Sequence, residues 1–213
     1  QGLVIPVHGP VDPEGLSDLY KHPGILDFSQ PFSAFEVRDL GALRVTALPL
    51  VHSKPTLGYL VEGQGRRVAY LTDTVGLPDA TREYLQREPL DVLVLDCSMP
   101  PQPQAPRNHN DLNLALLSIE QLQPAKAVLT HIGHSLDAWL MEHRGELPGN
   151  VSVGFDGCVV CRRKDRSLRQ LLQVNRFQHA GAAAGCDLLI LKSRQKNPRT
   201  SRGFFLCSIN QPK

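Results

Sequence analysis

The chain has 213 residues, 41% of them hydrophobic and 6% aromatic, with 23 lysines and arginines against 21 aspartates and glutamates. That length suits one ordinary domain with at most an appendage, and it is enough to bury a core. No window approaches the ~20 consecutive apolar residues of a membrane span, and the opening QGLVIPVHGP has neither a basic region nor a long apolar segment, so a cytosolic protein without a signal peptide is expected.

The small net charge conceals two unlike pieces. Residues 1–157 carry 11 Lys and Arg against 19 Asp and Glu, and residues 158–213 carry 12 against 2, a switch from −8 to +10. Such a basic tail is either a solvated or disordered appendage or an arm for nucleic acid. Five cysteines (Cys97, Cys158, Cys161, Cys186 and Cys207) are an odd number with four crowded near the end, which does not fit a secreted disulfide framework. Cys158 and Cys161 form a lone CxxC, weak evidence for zinc or redox chemistry.

In chain order, Ile5 to Val7 reads as a strand and LSDLYKHPGIL as a short helix stopped by Pro23-Gly24. Phe32 to Arg38, Arg44 to Leu50, Gly58 to Glu62 and Arg67 to Leu71 follow as strands with no room for helices between them, so this part of the sheet is expected to be antiparallel, with EGQGRR as a hairpin turn. GQG there is a turn and not a phosphate loop, because no helix follows. From Pro78 the pattern alternates: helix from Pro78 to Arg87, strand Val92 to Leu95, helix from about Asp111 to Leu122, strand Ala127 to Leu129, helix Ser135 to His143 and strand Val151 to Phe155. Crossovers of this kind cover one face of a sheet, so the sheet is expected to be mixed. Asn110 or Asp111 suits the cap of the second helix and Ser135 that of the third. Trp139 reads as core or subunit contact. In the tail, CRRKDRSLRQLLQVNRF reads as a basic amphipathic helix, HAGAAAGCDLLILKS as one more strand and RQKNPRTSRGFF as a loop, without an assignable fold.

The chemistry gathers where strands stop. VTALPLVH ends in His52, VAYLTD in Asp73, VLVLDC in Asp96 and AVLTH in His131. In α/β sheets, loops beyond the carboxyl ends of neighbouring strands converge on functional sites. Two imidazoles and a carboxylate make part of a coordination shell for zinc or manganese, and a carboxylate such as Asp73 can bridge two metals. The alternative is that Asp73 caps the turn DTVGLP and His52 hydrogen-bonds it. His109, just before the second helix, is placed either to act as general acid on an anion held by the helix N-terminus or simply to assist capping.

The succession PLVHSKPTLGYLVE, VAYLTDTVGLP, LVLDCSMPPQPQAPRNHNDL, LTHIGHSLDAWLME and VGFDG resembles the second half of the metallo-β-lactamase superfamily. With HGPVDPEGLSDLYKHPGILDFS, it is similar within that superfamily to the PhnP family of phosphoribosyl cyclic phosphate phosphodiesterases of the carbon–phosphorus lyase pathway. The resemblance implies an α/β fold, the αββα sandwich, over residues 1–157, with the basic tail 158–213 unassigned. It implies His52 on one metal, Asp73 as the bridge, His131 on the second metal, manganese as the likely metal pair, His109 as the acid, and His134 on a separate structural zinc. The reaction implied is opening of 5-phosphoribosyl 1,2-cyclic phosphate to ribose 1,5-bisphosphate in phosphonate catabolism by a cytoplasmic enzyme that forms dimers.

In that family an HxHxDH motif supplies most metal ligands and precedes a GL segment, and N-terminal cysteines complete the zinc site. The present sequence starts at QGL, so both metal sites are expected to be incomplete and the activity weak or absent. The tail is expected to be foreign to the family, from a fusion or a shifted frame. Two other functions remain open: a tRNA-processing nuclease of the same superfamily, and a non-catalytic remnant that binds RNA or a partner through its basic tail.

Overall fold

Valine and leucine alternate along the run VLVLD, and because successive side chains of a strand point to opposite faces, that alternation makes two cores. Val92 and Val94 join one buried cluster with Val45, Tyr59, Val61, Val68, Tyr70 and Val128. Leu93 and Leu95 join the other with Leu48, Leu60, Leu71 and Leu129. The computed structural model describes residues 4–11, 25–143, 145–156, 158 and 160, and the backbone of 173–174, 188–192 and 203–207.

A seven-stranded sheet runs in the order β3 (Val37–Leu40), β4 (Leu43–Pro49), β5 (Leu57–Gly63), β6 (Arg66–Leu71), β7 (Val92–Asp96), β8 (Lys126–Thr130), β9 (Val151–Val153). The pairs from β3 to β6 are antiparallel and those from β6 to β9 parallel, the mixed sheet expected. Gln64 and Gly65 turn the β5–β6 hairpin with φ of 51° and 71°, the pair of positive values that a two-residue turn needs to match strand twist. Parallel neighbours require crossovers, and these are α1 (Asp79–Gln86), α2 (Leu112–Leu122) and α3 (His134–Glu142). Leu85, Leu112, Ala115, Ile119, Leu122 and Leu136 place all three helices on the leucine face.

The opposite face looks toward β1 (Ile5–His8), where the Tyr59 hydroxyl donates to the His8 carbonyl at 3.0 Å and Phe32 packs edge-on against both rings. β1 belongs to a second sheet, ordered β10 (Gln173–Val174), β11 (Leu188–Lys192), β12 (Gly203–Cys207), β1, β2 (Leu26–Asp27). Two sheets with helices outside the larger one are the metallo-β-lactamase α/β arrangement, and a helical layer beyond the smaller sheet is not among the described residues.

Several expected boundaries move. The strand expected from Phe32 starts at Val37, because Ala34 and Phe35 form a turn with Phe35 at φ 60°. The helix expected in LSDLYKHPGIL, ahead of Pro23-Gly24, lies outside the described residues, and Leu26, after that stop, is in β2. Gln173–Val174, expected in a helix, pairs antiparallel with β11, and Gly203–Phe205, expected in a loop, opens β12, which lies parallel to β1. Apolar, aromatic-rich GFFLC favours a strand once a neighbour offers pairing. Gly133, not Ser135, precedes α3, and no side chain caps it.

Leu93 is fully buried between α2 and the sheet. Leu93→Ala is expected to cost about 2–5 kcal/mol, read as a lower denaturation midpoint in urea with an unchanged slope.

Candidate metal centre

Four strand ends meet at one edge of the large sheet. β4 delivers His52, β6 Asp73, β7 Asp96 and β8 His131, while the loop before α2 delivers His109. Backbone contacts pin these ends together: Cys97 N–H donates to Thr130 O, Ser98 N–H to Asn110 O, Gly133 N–H to Ser98 O and Val75 N–H to Val51 O, all at 2.9–3.1 Å. Gly133 is required at its position. A Cβ there would sit 2.4 Å from the Ser98 carbonyl oxygen.

Asp73, His109 and His131 each present one ligand atom, all within 4.8 Å of one another. Asp73 Oδ1 lies 3.7 Å from His131 Nδ1 and 3.9 Å from His109 Nδ1. The rings of His109 and His131 stack with centroids 4.6 Å apart, and His52 flanks His109 at 5.1 Å. His52 Nδ1 lies 2.9 Å from the Asn108 carbonyl oxygen. A carbonyl only accepts, so the hydrogen is on Nδ1 and the Nε2 lone pair is left for a ligand.

Two site residues have left-handed backbone, Asp73 at φ 62° and His131 at φ 60°. That conformation costs roughly 1–2 kcal/mol in a residue with a Cβ, and strain of this kind concentrates where side chains must be aimed. Asp73 and Asp96 are both fully buried. His109 Nδ1 lies 2.8 Å from Asp96 Oδ2, which also accepts Thr74 N–H at 2.9 Å. Two buried carboxylates beside imidazoles concentrate negative charge in a dry place, which is costly without a positive charge alongside. This donor set fits a divalent cation: hard oxygen from Asp73 and imidazole nitrogens, at separations that ligands 2.0–2.2 Å from one ion can span with small movements.

Asp96 was legible as a strand end but carried no role in the sequence, since its partner His109 is 13 residues on. Burial, with Asp96 and Asp111 adding, pushes the neighbouring Cys97 thiol well above the usual range. At the start of α2, Asp111 caps the helix, accepting Leu114 N–H at 3.0 Å, and also accepts Gln102 N–H at 2.8 Å. His134 is not in the cluster. It is exposed at the start of α3, and among the described residues no group of three metal-ligating side chains includes it.

The beta-lactamase superfamily domain pattern matches residues 25–132. Among solved structures, a new diphosphatase from the PhnP family shares 25% identity at a TM-score of 0.58, over 74% of this chain and 57% of that one. The metallo-beta-lactamase fold protein YhfI from Bacillus subtilis shares 18% at 0.56, over 71% and 62%. Human tRNase Z, short form, shares 19% at 0.51, over 72% and 66%. The chain thus spans less than two thirds of the length of each of these structures. No curated protein matches the chain.

Asp73→Asn removes one buried charge while keeping a residue that tolerates left-handed backbone. In metal-free protein it is expected to melt at or above the wild-type temperature, and to lose the stabilisation that manganese or zinc gives the wild type. A lower metal-free melting temperature with an undiminished metal-induced rise would contradict the assignment.

Proposed function

The chain belongs to the beta-lactamase superfamily, and on that premise we propose that it is a metal-dependent hydrolase acting on a cyclic phosphodiester, with 5-phosphoribosyl 1,2-cyclic phosphate as substrate and ribose 1,5-bisphosphate as product. The observation that carries the reading is the juxtaposition of Asp73 and His131, a ligand pair, with His109, a histidine aimed by a carboxylate. Asp73, His131 and the Nε2 of His52 would hold the ion, for which manganese is the first choice. A divalent cation held there supplies an activated water and neutralises charge on phosphoryl oxygens.

The rest falls to this chain's own groups. Hydrolysis adds water across one P–O bond of the ring: hydroxide goes to phosphorus, and the departing ribose oxygen needs the proton. His109, with Nδ1 turned to Asp96, presents Nε2 for that transfer. Asp73 and His131, whose donor atoms lie 3.7 Å apart, would be engaged in holding the ion and not free to give that proton. Activity of the chain as given is expected to be weak, since among the described residues the one converging group is Asp73, His109 and His131. A structural zinc at His134 would draw its other ligands from outside the described residues. Self-association and a cytoplasmic location belong to the same proposal.

A second reading, hydrolysis of a diphosphate, is favoured by the likeness to the PhnP-family diphosphatase. The likeness to tRNase Z supports the fold alone.

Leaving-group dependence separates an acid from a ligand. With manganese present, His109→Ala is expected to slow opening of the ribosyl cyclic phosphate by about 100-fold or more, and to slow a p-nitrophenyl phosphodiester far less, because nitrophenolate departs without a proton. Equal losses on the two esters would remove His109 from the acid's role. Faster turnover of a diphosphate than of either ester would favour the second reading.

A further inference from the structure

The parallel strands have amino ends as well as carboxyl ends, and a second concave place lies there. A cavity of about 320 Å³ opens among Asp91 and Val92 at the start of β7, Lys126 at the start of β8 and Asn150 to Ser152 at the start of β9, with Arg66 of β6 beside them. That volume is at the low end of the roughly 300–1,000 Å³ of small-molecule sites. Lys126 and His131 stand at opposite ends of β8, and at the rise of a parallel strand they are ~16 Å apart. The cavity is separate from the candidate metal centre and shares no residue with it.

Its walls are of two kinds. Val92, Val151 and Val160 are buried and supply an apolar side. On the polar side, Arg66 Nη1 donates to Asp91 Oδ1 at 2.5 Å and Arg67 N–H to Asp91 Oδ2 at 2.9 Å, so both oxygens of that carboxylate are engaged. The Ser152 hydroxyl donates to the Ala127 carbonyl at 3.3 Å, and Asn150 Nδ2 donates to the Pro124 carbonyl at 3.2 Å. Lys126 differs from these. Its ammonium carries three donors, and among the described residues no carboxylate pairs with it. Over the lining, Arg66 and Lys126 stand against Asp91, an excess of one positive charge. At Gly149, exposed and also in the lining, an added Cβ would meet nothing within 4 Å, so the backbone leaves room there.

We propose that this cavity binds a small organic monoanion, a carboxylate on an apolar body, with the carboxylate on Lys126 and the body against the three valines. Hydrogen bonds between ions of opposite sign are the strong ones, and an excess of one charge balances one carboxylate. A phosphate dianion would be left half uncompensated and would bring no apolar surface for the valines to cover. An uncharged amide of the same shape keeps the apolar contact and forfeits the charge. The proposal does not depend on the reaction at the metal centre.

The test is fluorine NMR of para-fluorobenzoate with the full chain, using para-fluorobenzamide as the uncharged counterpart and inorganic phosphate as competitor. Saturable broadening of the fluorobenzoate signal is expected in the wild type. Lys126→Ala is expected to weaken binding about ten-fold or more. Lys126→Glu is expected to abolish it by repulsion, and Gly149→Phe by filling the cavity. Both positions are exposed, so the variants are expected to fold, which their melting temperatures check; should Gly149→Phe not fold, the two Lys126 variants decide the matter. His131→Ala is expected to bind as the wild type does. The proposal is overturned by a wild type that shows no saturable binding, by fluorobenzamide binding as tightly as fluorobenzoate, by displacement with equimolar phosphate, or by unchanged affinity in Lys126→Glu. Loss of binding in His131→Ala would put the carboxylate at the metal centre and overturn it as well.

Discussion

Two carboxylates with no exposure to solvent, Asp73 and Asp96, stand at adjacent strand ends, and the surrounding structure is organised around keeping both there. Burying one ionised carboxylate costs several kcal/mol unless hydrogen bonds and opposite charge meet it. The chain answers with different partners for the two. Asp96 receives a backbone N–H and an imidazole. Asp73 faces His109 and His131, a setting in which a divalent cation balances the charge.

That arrangement depends on topology. Because β6, β7 and β8 run parallel, their carboxyl ends fall on one edge, and β4 joins them from the antiparallel half. The crossover helices that parallel pairing demands bury the leucine face, so the strands are held rigidly enough for their ends to carry strained backbone at Asp73 and His131. Gly133 completes the joint, since any side chain there would strike the Ser98 carbonyl and separate the ends of β7 and β8. Packing, backbone strain and the chemistry of the site are therefore one problem for this fold.

Much of this was legible in the residues. Short apolar runs between turn residues marked β4 to β8, and the recurrence of His or Asp where those runs stop marked His52, Asp73, Asp96 and His131. The structure brings Asp73, His109 and His131 together and sets His52 at their margin. What the sequence could not express was pairing at a distance. Asp96 at the end of β7 with His109, and His52 with the Asn108 carbonyl, are contacts made to the loop before α2, with no periodic signature. The αL turn at Phe35 hid the true start of β3, because aromatic PFSAFEV satisfies a strand pattern equally well. The strand pairing of β12 with β1 joins residues about 200 apart, beyond any local rule.

The central claim is that these strand ends bind a metal ion. It is tested most directly by elemental analysis of protein purified without chelator, then offered manganese and zinc and freed of excess. The account predicts at least one equivalent of metal per chain, lost in His131→Ala and retained in an exposed control such as Met141→Ala. Metal content near zero in the wild type, or unchanged in His131→Ala, would contradict it.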